Sequence, residues 1–174
     1  MIMTVEKLKA FITTTEPDAM LEAKLQALEI LIRKHTNNNF QKRGIRASCQ
    51  VMAEKLYTDY PYFKVGDTIQ ISESIFNDGI YVIQSIEDHM ITLDKDLLDE
   101  STVLVTKVEY PVDVQMGVVN MLKWDLENRE KVGIQSETIS RHSVTYFNMD
   151  GDNSALGYPK SLTGFLKPYM KARF

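Results

Sequence analysis

The chain has 174 residues, 44% hydrophobic and 25% charged, a composition that excludes a disordered polypeptide and fits one domain, or one domain carrying an insertion. Its single cysteine, Cys49, excludes a disulfide framework and a cysteine-rich zinc site. The net charge of −4 argues against a dedicated double-stranded DNA binder, and no apolar run approaches the roughly 20 residues of a membrane span.

In chain order, Val5, Leu8, Phe11 and Ile12 form a short apolar stretch. Thr15-Glu16-Pro17-Asp18 then reads as an N-cap threonine followed by proline and carboxylates in a first helical turn. Leu21, Leu25, Leu28 and Ile32 recur at helical spacing, so a helix is expected over 18–35, stopped by three asparagines. Residues 40–57 mix Phe40, Ile45, Val51, Met52 and Leu56 with basic residues and read as a loop followed by a short helix. From Lys64 the period changes to two. Four short β-branched runs, at 68–71, 80–83, 90–93 and 103–106, are separated by Val65-Gly66-Asp67 and Asn77-Asp78-Gly79 turns.

Helix returns after Tyr110-Pro111 and is expected over 111–129. Its apolar face is expected from Val112, Val119, Leu122 and Leu126, flanked by Met116, Val118 and Trp124. Ile134, Ile139, Val144 and Tyr146, interleaved with Ser and Thr, suggest an extended loop or hairpin. A last helix is expected over 158–167, opened by Gly157-Tyr158-Pro159 and broken at Pro168. The fold class expected is therefore α+β: a mainly helical body of residues 1–63 and 109–174, with an inserted small antiparallel β-module at 64–108. Charge changes at the same boundaries. Residues 64–110 hold 3 basic and 10 acidic side chains, whereas 157–174 hold 4 basic and no acidic ones. With no apolar run for a signal peptide at its N-terminus, the chain is expected in a cytoplasm-like compartment.

The residues that carry chemistry point away from catalysis. Asp150-x-Asp152-x-Ser154 resembles the start of a calcium loop, but the glycine and glutamate such a loop needs are replaced by Ala155 and Ser161. His35, His89 and His142 lie far apart, with no partner at metal-ligand spacing. No glycine-rich phosphate loop is present, and no nucleophile elbow surrounds Ser136, Ser140 or Ser143. Cys49, near Lys42 and Arg46, reads as a half-buried structural thiol. No catalytic residue, cofactor or metal is expected.

One order of motifs does carry a resemblance. Tyr110-Pro111, Gly117, Trp124 through Asn128-Arg129, then Lys131-Val132-Gly133-Ile134-Gln135-Ser136-Glu137, Ser143-Val144-Thr145-Tyr146, Gly157-Tyr158-Pro159 and Leu166-Lys167-Pro168-Tyr169 follow one another. This succession resembles the head–tail connector (adaptor, or head-completion) proteins of tailed bacteriophages. The likeness covers about residues 108–174, with the N-terminal helix matching in pattern, while 64–108 looks like a β-insertion.

The resemblance implies a non-enzymatic virion protein at the head–tail neck, assembled in the bacterial cytoplasm as a ring, dodecameric in the virion, beneath the portal. Its implied partners are itself, the portal, a stopper or tail-completion protein, and DNA passing without sequence specificity. It implies subunit contacts at Gly133, Ile134, Ser136, Glu137, Ile139, Ser143 and Tyr146. Portal contacts are implied at Tyr158, Pro159, Leu166, Lys167, Pro168, Tyr169, Lys171, Arg173 and Phe174. Two alternatives stand beside it: a nucleic-acid-binding small barrel using Lys42, Arg43 and Arg46, and another neck component such as a stopper or tail-terminator protein.

Overall fold

The computed structural model describes residues 1–128, 136–139, 142–145 and 153–172. It divides into two compact units, one of Met1 with Asn39–Tyr110 and the other of Ile2–Asn38 with Pro111–Phe174.

The first unit is a closed antiparallel barrel of six strands: β1 (Gln41–Met52), β2 (Lys55–Tyr57), β3 (Thr68–Ser72), β4 (Gly79–Glu87), β5 (Met90–Leu93) and β6 (Glu100–Val108). They are hydrogen-bonded in the order β1-β2-β5-β4-β3-β6, and β1 closes on β6. Alternate side chains on each strand fill the interior. Cys49 and Val51, Ile69 and Ile71, Tyr81 and Ile83, Ile91 and Leu93, and Val103 and Val105 form one buried cluster with Leu56, Phe63 and Leu97. Each fully buried aliphatic chain of this size contributes roughly 1.5–3 kcal/mol. Closure also removes the free strand edges that an open sheet would present.

Two irregularities shape the barrel. Between Gln41↔Val108 and Arg46↔Thr106 four residues of β1 face one of β6, so Lys42–Ile45 bulge from the wall. The segment after β2 runs from β1 to β4 across the end where β6 finishes. The Tyr60 hydroxyl donates to the Gly44 carbonyl at 3.2 Å, Phe63 enters the core, and the Gly66 N–H donates to the Ile83 carbonyl. Gly66 has φ +84°, a conformation that glycine adopts without penalty, as its Val65-Gly66-Asp67 turn suggests.

The second unit holds α1 (Val5–Lys9), α2 (Asp18–Thr36), α3 (Val112–Asn128), the β7–β8 hairpin (Ser136–Ile139 and His142–Thr145), the short β9–β10 pair (Ser154–Ala155 and Tyr158–Pro159), α4 (Lys160–Thr163) and a 3-10 turn (Gly164–Tyr169). Helix α2 buries Leu21, Leu25, Leu28 and Ile32, the spacing read from the sequence. It begins differently: Pro17, not Thr15, occupies the N-cap, and no side chain caps the helix. Proline disfavours helical geometry at Glu16, so the helix starts after it. At the other end Asn37 is left-handed, φ 48°, and its N–H closes on the Arg33 carbonyl.

The expected fold class is corrected. The chain is not a mainly helical body carrying a small β-module, because a closed six-stranded barrel dominates its strand content and residues 40–57 supply two of the six strands. The reason lies in β1. Its inward residues Ile45, Ala47, Cys49 and Val51 begin only where the bulge ends, just Cys49 and Val51 among them are fully buried, and the segment before them has no alternation. The last helix is likewise shorter than expected. Only Lys160–Thr163 is α-helical, and the chain tightens to a 3-10 turn that contains Pro168. On α3 the buried face is Val114, Gly117, Val118, Val119, Met121 and Leu122, whereas Val112 is 75% exposed.

Candidate partner-contact surfaces

The C-terminal segment is built onto the second unit from the inside out. Leu166 is fully buried, and Tyr158 and Pro159 are buried too. The Tyr158 ring meets Trp124 of α3 edge to face, with centroids 5.6 Å apart. Phe165 lies directly over Gly117: a Cβ built there would stand 2.3 Å from the ring, so only glycine lets ring and helix approach this closely.

Beyond Leu166 the segment is tied to the C-terminus of α2 through main-chain groups. The Lys171 N–H donates to the Thr36 carbonyl at 2.8 Å. The Asn38 and Asn37 side-chain amides donate to the carbonyls of Tyr169 and Ala172, at 3.1 and 2.8 Å. Two of the three asparagines, Asn37 and Asn38, thus end the helix and also hold the tail. The Tyr169 hydroxyl donates to the Asp113 carboxylate, 2.8 Å from each oxygen, and this bond pushes the phenol above its usual range.

The implied portal-contact residues therefore separate by accessibility. Tyr158, Pro159 and Leu166 are buried and hold the segment in place, while Lys167, Pro168 and Lys171 face outward and Tyr169 is half-buried. Arg173 and Phe174 lie outside the described residues. Of the implied subunit contacts, Ser136, Glu137 and Ile139 fall on β7 and Ser143 on β8. Ser136 pairs with Thr145, Glu137 with Val144, Thr138 with Ser143 and Ile139 with His142. Gly133, Ile134 and Tyr146, and the Asp150–Asp152 turn, lie outside the described residues.

On the barrel, Lys42 and Arg43 project from the β1 bulge and are exposed. Lys42 is 2.5 Å from the Glu109 carboxylate, and the half-buried Arg46 donates through Nε to the Thr106 hydroxyl at 3.0 Å. Tyr60 and Tyr62 meet edge to face beside this patch, with centroids 5.1 Å apart, and Tyr62 is exposed. Burial pushes the Cys49 thiol above its ordinary value, against a smaller opposing hydrogen bond with Thr58, so it is a poor nucleophile.

A surface that sequence reasoning missed sits at the opposite end of β6. The Glu100 carboxylate accepts from the Ser74 hydroxyl at 2.5 Å, the Ile75 N–H at 2.8 Å and the Asn77 amide at 3.0 Å. These bonds, the Ser74 hydroxyl first among them, hold its pKa below the ordinary carboxylate range. Asn77 is buried. Its amide also donates to the Leu98 carbonyl, and its side-chain oxygen accepts from the Leu98 N–H. The loop so fixed presents Ile75, Phe76 and Leu98 to solvent, at 80%, 64% and 61% exposure. The only signal in the sequence is an apolar Ile-Phe pair set between turn residues.

Among the described residues no three metal-ligating side chains converge, and no helix is long and apolar enough to cross a membrane. Neither family models nor curated proteins include a match to this chain.

Proposed function

We propose that this chain is a head–tail connector of a tailed bacteriophage. It is a non-enzymatic virion protein that forms a dodecameric ring beneath the portal, extends the DNA channel, and receives the stopper or tail-completion protein. The observation that carries this reading is the order of motifs over residues 110–169. Supporting it, the described motifs follow the elements: Tyr110-Pro111 precedes α3, Gly117 and Trp124 through Asn128 lie in α3, Ser136-Glu137 lies in β7, Ser143-Val144-Thr145 in β8, and Tyr158-Pro159 leads into α4. Ring closure requires two complementary faces on each subunit. The β7–β8 hairpin supplies one, and the exposed lysines of the C-terminal segment supply the portal contact. The net negative charge suits a conduit through which DNA must slide, since extensive phosphate neutralisation would retain it.

The test is to mix the protein with purified portal or DNA-filled heads. Co-sedimentation, with a ring beneath the portal by electron microscopy, is the expected result; absence of both overturns the proposal. A second reading, a small nucleic-acid-binding barrel, draws support from Lys42, Arg43 and Arg46 sharing β1 beside Tyr60 and Tyr62. A salt-dependent gel shift of single-stranded DNA at physiological ionic strength would favour it.

A further inference from the structure

We infer that the barrel carries a head-to-tail self-association contact, in which the Ile75–Phe76–Leu98 knob of one copy packs on the Arg43–Tyr62–Lys64 patch of the next. The knob's three large apolar side chains are exposed on a loop already fixed by Glu100 and Asn77, so little conformational freedom remains to be lost on binding. Around it the exposed charges are acidic: Glu73, Asp78, Asp96 and Asp99. Lys95, the nearby cation, is drawn back onto the Ile80 carbonyl and the face of Tyr81.

That rim selects the occupant. It repels nucleic acid and anionic lipid, and it also repels a second knob, so a symmetric knob-to-knob dimer is disfavoured. The complementary surface is an apolar one with a cationic rim, and the same barrel has one. Tyr62 and Val65 are 61% and 62% exposed beside the cations Arg43 and Lys64, while the neighbouring Lys42 and Lys107 are matched by Glu109 and Asp67, and the exposed carboxylate of the same segment, Asp59, is engaged by His89 at 2.8 Å.

The two surfaces lie at opposite ends of β6. Ser72 pairs with Leu104 just before the knob loop, and Gln41 pairs with Val108 at the bulge. The nine residues of β6, Glu100–Val108, separate them by about 25 Å. Contacts between unlike, opposite ends are heterologous and propagate into a ring or a filament. The inference takes its biological purpose from the ring reading above, and adds a barrel contact to the hairpin contact.

Two variants test it: I75S/F76S, which empties the knob, and R43E/Y62S, which inverts the patch. All four positions are exposed or in a bulge, and circular dichroism checks that both variants keep the wild-type fold. In sedimentation velocity up to the solubility limit, wild-type protein is expected to associate. Each variant alone should lose at least about tenfold in affinity, as for a truncated hot spot. An equimolar mixture of the two variants retains one working barrel contact and should associate more tightly than either variant alone. A wild type that stays monomeric, a variant that associates normally, or a mixture that fails to pair overturns the inference. So does DNA binding that is abolished by R43E/Y62S, which would assign the patch to nucleic acid. Portal-bound rings formed normally by I75S/F76S would refute this contact and leave the connector reading standing. Failure of wild type to form any ring on the portal would instead refute that reading.

Discussion

Replacing Gly117 by alanine sets two effects of opposite sign against each other. Within a 17-residue helix the change favours the folded state by about 1 kcal/mol through backbone propensity. Against this, the new methyl group would stand 2.3 Å from the Phe165 ring, and the ring must swing away from α3. Overpacking of this kind costs about 1–3 kcal/mol, so G117A should destabilise the helical unit by about 1 kcal/mol net. Removing the ring reverses the sign. In an F165A background the methyl group has room, and G117A should stabilise by up to about 1 kcal/mol, giving a coupling of about 2 kcal/mol between the two sites. Urea unfolding followed by Trp124 fluorescence reads this cleanly, because the chain's one tryptophan sits on α3 in the same unit. Equal effects of G117A in the two backgrounds would refute the packing argument. Stabilisation by G117A in the wild-type background would refute it as well.

Cutting the chain before Lys167 removes the ties to Thr36, Asn37 and Asn38 but keeps Leu166; the helical unit should stay folded with a slightly lower melting temperature, and portal pull-down should fail. Deleting 64–108 should yield aggregated protein, because β1 and β2 would keep free edges and an exposed core face, whereas a flexible linker in place of 40–109 should leave α2 and α3 intact by circular dichroism. Glu100, its pKa lowered on folding, adds stability that is present above the unfolded carboxylate pKa and is lost as pH falls through the folded value. The Ile75 amide resonance should therefore shift in acid, below the ordinary carboxylate range, and E100Q should abolish that titration. Cys49 should react with iodoacetamide only as fast as the barrel opens, so its alkylation rate should rise steeply with urea.

Local chemistry alone determined several features of this protein. Leucines at helical spacing set α2, Pro111 set the start of α3, and β-branched runs between turn residues set β3 to β6, because each signal is complete within its own segment. The motif succession that motivates the connector reading is also local, down to Gly117, although its physical role, room for Phe165, was not visible there. Tertiary structure decided what depends on distant partners. β1 is a strand because β6 and β2 pair with it, and its charged, bulged first half holds no period of its own. That pairing turned a small insertion into a closed barrel. Glu100 and Asn77 look like solvated turn residues until the fold brings them within 3.0 Å of each other, where they hold Ile75 and Phe76 out in water. Tyr158 and Leu166, implied as portal contacts, are buried, Tyr158 against Trp124 of α3. Burial is a property of the assembled chain, and a segment of 18 residues cannot display it.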